Sequence, residues 1–168
     1  MRLPTRRSEQ LRQSKQIDDP YLTSNKIAEL QRTRERLIQE RPIAAAEVRR
    51  TQEMGDLSEN AAYQEAKFRL RRINSRITVI EEKLKSAIAI PSAANSNSII
   101  ALGSQVTLEN NGREQKFEIL GASEADPRRG RISHLSPLGA ALLGQRAGQS
   151  IKIGQGDRSQ EYKIIRIE

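Results

Sequence analysis

Residues 55–87 read GDLSENAAYQEAKFRLRRINSRITVIEEKLKSA, and the spacing within this stretch decides the fold. Tyr63, Ala66, Leu70, Ile73, Ile77, Ile80, Leu84 and Ala87 recur at alternating steps of three and four. That is the a/d seam of a helix that packs along its whole length, with charge kept outside the seam. The pattern predicts a helix over 59–88. Upstream, Ile27, Leu30, Leu37, Ala44 and Val48 fall at heptad seam positions, and Arg34 and Arg41 interrupt the same seam. A second helix over 22–53 follows, with Thr23, Ser24 or Asn25 to cap its start. Pro42 lies inside it, removes one backbone donor, and predicts a kink or break near Ile38 to Arg41. At ~1.5 Å per residue each arm is about 45 Å long. Residues 54–58 are too few to bring a second helix back other than antiparallel. The expected architecture over 20–90 is a coiled-coil hairpin with its tip at 55–60. The seam can close within the chain or, alternatively, between two chains.

Beyond the hairpin the period changes. Residues 91–98 are small and polar, rich in Ser, Asn and Ala, and read as a linker. Over 99–168 the signals are those of strands. Gln105–Glu109 and Glu114–Leu120 flank Asn110-Asn111-Gly112, a hairpin turn. Gly130–Ser136 is a third strand. Pro137–Leu143 reads as a short helix ended by Gly144. Gln149–Ile153 and Gln160–Ile167 flank Gly154-Gln155-Gly156-Asp157. The expected fold class is α+β: a long antiparallel helical hairpin followed by a small α+β domain near the lower size limit for a self-sufficient core.

Charge narrows the partners. The 168 residues carry a net charge of +8. Residues 1–98 hold 19 Lys/Arg against 13 Asp/Glu, and 99–168 hold 10 against 8. An excess concentrated in the first half fits an acidic partner, nucleic acid first. Residues 1–19 form a basic tail (Arg2, Arg6, Arg7, Arg12, Lys15), read as disordered and either merely solvated or in contact with nucleic acid. The absence of cysteine excludes a disulfide framework and a thiolate metal site. No apolar run resembles a signal peptide or a membrane span, so the expectation is a soluble, cytoplasmic protein. A Gly-rich phosphate loop, a zinc spacing and a Ser/His/Asp set are all missing. The single histidine, His134, lies on a predicted strand and reads as structural or surface. Two Phe, three Tyr and no Trp argue against a base-stacking platform.

The chemistry concentrates at the hairpin tip. Asp56 and Glu59 are one helical turn apart, so both carboxylates can reach one hard cation. Magnesium takes one or two carboxylates and completes its shell with water and outside ligands. Two protein acids make a weak site alone and a useful one where another macromolecule supplies the rest. The competing reading is structural: Asp56 can N-cap the second helix with Glu59 completing a capping box. Behind the tip, Arg69, Arg72 and Arg76 line one flank of the second helix and Lys67 and Arg71 the other, with Arg49 and Arg50 on the first helix at similar height. These read either as a solvated helix surface or as a phosphate track leading to the acids.

At these residues the chain resembles the bacterial Gre transcript-cleavage factors. Gly55-Asp56-Leu57-Ser58-Glu59-Asn60-Ala61-Ala62-Tyr63 is similar to the family's signature, and Arg41-Pro42 matches the first arm in its spacing to Gly55-Asp56. In the C-terminal part, Glu124-Ala125-Asp126 to Ile132-Ser133, Ser136-Pro137-Leu138-Gly139 and Leu143-Gly144 resemble the family's globular domain. The likeness spans residues 24–168; the basic tail has no counterpart, and Leu57 stands where some GreB-like members carry Arg. Lys67, Arg69, Leu70, Arg71, Ile73 and Arg76 look closer to the GreB branch.

The resemblance implies an FKBP-like C-terminal domain that docks outside the secondary channel of RNA polymerase, and a hairpin that enters the channel. It implies that Asp56 and Glu59 help hold a second Mg2+ at the polymerase's active centre, where the extruded 3′ end of a backtracked RNA is cut. The chain would then be a monomeric cofactor protein and no enzyme itself. Two other readings stand beside it. One is a Gre-like regulator that plugs the channel without cleavage; the other is a free-standing coiled coil that binds nucleic acid.

Overall fold

The computed structural model describes residues 19–53, 60–91, 99–154 and 159–168. The chain divides into two compact units, Leu22–Ala89 and Ile90–Glu168, the latter joined by the described residues up to Tyr21.

The first unit is the hairpin. Helix α1 spans Ser24–Glu53 and α2 spans Ala61–Ser86. The Thr23 hydroxyl accepts from the Lys26 N–H at 3.2 Å and caps α1, one of the three caps the sequence offers. Short strands β1 (Tyr21–Thr23) and β2 (Ile88–Ile90) pair at the open end.

Contacts between the helices pair Thr51 with Asn60, Glu40 with Arg69, and Arg34 with Glu81. The partners step in opposite directions, so the seam closes antiparallel within one chain. Leu37, Ala44, Ile73, Ile77 and Ile80 are buried in it, with Leu30, Ile38, Leu70 and Leu84 packed against them. Each of the buried Leu and Ile side chains contributes about 1.5–3 kcal/mol.

The predicted break at Pro42 does not occur: α1 is one helix through it. Buried Leu37 and Ala44 on either side hold the helix to α2, which offsets the one lost backbone bond. Arg34, read as an interruption of the seam, turns its guanidinium out to Glu81 at 2.9 Å.

The second unit is built on a five-stranded sheet, order β5-β4-β3-β7-β6. Its strands are β3 (Gln105–Asn110), β4 (Arg113–Leu120), β5 (Arg131–Ser133), β6 (Ser150–Ile153) and β7 (Gln160–Ile167). All neighbours are antiparallel except β4 and β5. The β3–β4 turn places Asn111 at φ 51° and Gly112 at φ 73°, the left-handed pair that a tight two-residue hairpin requires. Between β4 and β5 lie two 3-10 turns, Ala122–Glu124 and Pro127–Arg129, which the sequence reading did not anticipate.

Helix α3 (Pro137–Leu142) is capped by the Ser136 hydroxyl. Its Gly139 is obligatory, because a Cβ there would lie 2.1 Å from the Ser133 carbonyl oxygen. Ile100, Val106, Leu108, Ile119, Ile132, Leu142, Ile151 and Ile164 form the core.

Asp19, assigned from sequence to the tail, is built into this unit. Its side chain is 3% exposed and accepts from the Tyr21 N–H at 3.2 Å and from the Ala122 N–H. His134 faces it, Nδ1 3.5 Å from Asp19 Oδ2 and 3.3 Å from the Leu120 carbonyl oxygen, with the Tyr21 ring edge-on. Its role here is structural, one of the two readings given for it. Among the described residues, no helix is long and apolar enough to cross a membrane.

Candidate functional site

The tip is framed by two helix ends: α1 stops at Glu53 and α2 begins after Asn60. Asp56 and Glu59 themselves lie outside the described residues. What is described is the clasp beneath them. Asn60 uses both ends of its amide. Oδ1 accepts from the Tyr63 N–H at 3.0 Å and caps α2; Nδ2 donates to the Thr51 carbonyl at 3.1 Å and ties α2 to the last turn of α1. The Gln64 N–H reaches the Asn60 carbonyl at 3.1 Å, closing the first turn.

This corrects the structural alternative for the acids. The N-cap is Asn60 rather than Asp56, and α2 starts at Ala61, so a capping box of Asp56 and Glu59 is not what starts the helix. Asn outcompetes because it offers an acceptor to α2 and a donor to α1 at once, which a carboxylate cannot. Neither the clasp nor its partner was read from sequence. Thr51 follows Leu30, Leu37 and Ala44 at seven-residue steps, and it is 2% exposed. Its hydroxyl is satisfied by the Glu47 and Val48 carbonyls at 2.9 and 3.0 Å. The signals were present: a heptad position filled by a small residue, and a strong N-cap residue ahead of the apolar run.

The basic residues divide by partner. Arg69 Nη2 bonds Glu40 Oε1 across the helices at 2.7 Å, and Arg50 Nη2 bonds Glu47 Oε1 at 2.7 Å along α1. The hydrogen bond from Arg69 holds the Glu40 carboxyl below its ordinary value, helped by the charges of Arg69, Arg36 and Arg72. Arg50 does the same to Glu47, and its own guanidinium is raised in return. Exposed pairs of this kind exchange readily for another anion.

The Lys67 ammonium lies 4.9 Å from the centre of the Tyr63 ring, and the Arg72 guanidinium 5.8 Å from that of Phe68. Arg49 and Arg76 make no ion pair among the described residues. Arg49 and Arg50 sit on α1 between the Thr51–Asn60 and Glu40–Arg69 contacts, so they share the tip-proximal part of the hairpin with Lys67. Among the described residues no cluster of three or more His, Cys, Asp or Glu side chains is placed to hold a metal.

Comparison with known proteins places this frame. The family profile described as "Transcription elongation factor, N-terminal" matches residues 20–88, and the one described as "Transcription elongation factor, GreA/GreB, C-term" matches 95–168. The transcription elongation factor GreA of Thermomicrobium roseum is 40% identical over 129 residues, covering 76% of this chain and 83% of that protein. GreA of Chloroflexus aurantiacus is 36% identical over 150 residues, covering 88% and 96%. Among solved structures, the GreA factor homolog 1 (Gfh1) of Thermus thermophilus is 27% identical, covering 89% of this chain and 99% of that one with a TM-score of 0.41. Both of these relatives bear the GreA name, and the leaning of α2 toward the GreB branch gains no support from them. With both parts of the chain matched in order, this chain belongs to the GreA/GreB family of transcription elongation factors.

Proposed function

We propose that the chain is a transcript-cleavage factor: it binds RNA polymerase in the cytoplasm, inserts the hairpin tip into the secondary channel, and stimulates the polymerase to cut the 3′ end of a backtracked RNA. The carrying observation is the acid pair Asp56 and Glu59 standing in a chain that matches both halves of the Gre family. The Asn60 clasp supports it, because the capping duty that would otherwise occupy Asp56 falls to another residue.

The donor chemistry fits magnesium. Two carboxylates are the hard oxygen ligands that ion takes, and an incomplete pair suits an ion shared with the polymerase. Asp56 and Glu59 would hold it, and when bound it would supply charge stabilisation and an activated water at the scissile phosphodiester. The chain's own part is positioning. The α1–α2 seam holds together the two helices between which the acids lie in sequence. Lys67, Arg49, Arg72 and Arg76 offer cations to RNA phosphates behind them, and Arg50 and Arg69 join by exchanging their exposed carboxylate partners. No nucleophile from this chain is needed, so the polymerase remains the enzyme.

A magnesium titration of cleavage in a stalled, backtracked complex tests the assignment. At magnesium concentrations where the wild-type chain cleaves fully, Asp56→Asn gives no cleavage while polymerase binding holds, and only a large excess of magnesium restores part of it. An unchanged magnesium dependence removes the acids from the metal.

A further inference from the structure

Phe68 is one of two Phe in the chain, and it is 55% exposed on α2, two turns beyond the Asn60 cap. The seam residues Ala66, Leu70 and Ile73 lie on the opposite side of the helix, so Phe68 serves no packing within the hairpin. It lines a shallow groove of about 450 Å³ with Ala61, Gln64, Glu65, Lys67 and Arg71. The Arg72 guanidinium lies 5.8 Å from the ring centre. From Ala61 to Arg76 there are five cations and a single acid, Glu65.

An apolar ring left in water among cations is the arrangement that takes up a nucleobase: the ring stacks the base and the cations neutralise its phosphates. A protein partner can also use an exposed ring, but five cations against one acid around it favour a polyanion. We infer that Phe68, with Lys67, Arg71 and Arg72 around it, is a base-stacking step for the single-stranded 3′ segment of the RNA. This rests on the cleavage-factor reading and adds a contact to the RNA itself. It sets Phe68 against the expectation, drawn from the scarcity of aromatics, that the chain has no stacking platform, and cross-linking decides between them.

The Arg72 cation explains how one ring suffices. It sits against the ring and holds it on the outer face, while the remaining ring surface is free for a base.

The test uses the full chain bound to a backtracked elongation complex whose RNA ends in a 3′-terminal 4-thiouridine, with cross-linking and cleavage read separately. Stacking predicts a cross-link within Ala61–Arg76 that persists in Asp56→Asn, where cleavage is gone. It is weakened about 10-fold in Phe68→Ala and in Phe68→Leu, and kept in Phe68→Trp. Cleavage at saturating factor falls in parallel for Ala and Leu. Phe68 is exposed, so these variants leave folding intact. A wild-type cross-link absent from this segment, or equal in Phe68→Leu, overturns the stacking step, the latter marking a plain apolar contact. A loss confined to polymerase affinity overturns it too, assigning the ring to a protein wall. Cleavage surviving Asp56→Asn would instead remove the metal reading and leave the cross-link to decide Phe68.

Discussion

The amide of Asn60 joins the two helix ends of the hairpin: its Nδ2 donates to the Thr51 carbonyl at 3.1 Å while its Oδ1 caps the Tyr63 N–H at 3.0 Å. One side chain thereby satisfies an orphan carbonyl of α1 and an orphan N–H of α2. Losing a cap costs about 1 kcal/mol, and leaving a part-buried carbonyl unpaired adds roughly another 1 kcal/mol. Asn60→Ala therefore lowers hairpin stability by ~2 kcal/mol in chemical denaturation. Asn60→Asp keeps the acceptor and loses only the bond to Thr51, so it falls between. Equal losses for the two variants would mean the Thr51 bond contributes everything and the cap nothing.

Ile77 is 7% exposed in the middle of the seam, whereas Val79, two residues on, is 49% exposed. Ile77→Ala should cost about 2–5 kcal/mol through lost burial and a cavity, and Val79→Ala should stay within ~0.5 kcal/mol. Urea melts followed by helical circular dichroism separate the two.

The Glu40–Arg69 bond makes a prediction about pH. The carboxyl of Glu40 lies below its ordinary value in the folded chain. Its contribution is therefore present above the unfolded value and fades as pH falls through the folded one. Glu40→Gln should lower the melting temperature slightly at neutral pH, and the gap to wild type should close in acid and in high salt. A gap that widens in acid would contradict the ion pair. The pair is open to solvent, with the Glu40 side chain 35% and the Arg69 side chain 48% exposed, which keeps the effect small.

In the C-terminal unit, Gly139 is held by geometry. A methyl group 2.1 Å from the Ser133 carbonyl cannot be accommodated without moving α3 off β5. Gly139→Ala should cost at least 1–3 kcal/mol, at about the level of core overpacking. The hairpin, with its own seam, should keep its helical signal.

Much of this was legible in the sequence because period and turn chemistry are local. The three-four spacing from Tyr63 to Ala87 fixed α2 to within a few residues, and Asn110-Asn111-Gly112 fixed the β3–β4 turn. What escaped depends on contacts distant in sequence. Asn60 reveals its second bond only when Thr51 is brought beside it. Asp19 reads as a tail residue until Ala122 and His134 close around it. Pro42 reads as a breaker because one lost hydrogen bond is visible in sequence and the packing of Leu37 and Ala44 against α2 is not. The outward face of Phe68 is likewise not legible from composition, since the scarcity of aromatics says nothing about which face a single ring occupies. The family resemblance was carried by residues 55–63, and the profile matches over 20–88 and 95–168 agree with it.

The central claim is that the acids at the tip lend a metal site to the polymerase. The most direct measurement follows a stalled, backtracked elongation complex carrying 3′-labelled RNA with magnesium, with and without the protein. The account predicts short labelled fragments that appear with the wild-type chain and vanish with Asp56→Asn or Glu59→Gln, both variants still binding polymerase. Slowed elongation without fragments from the wild-type chain, or fragments that survive both substitutions, would contradict it.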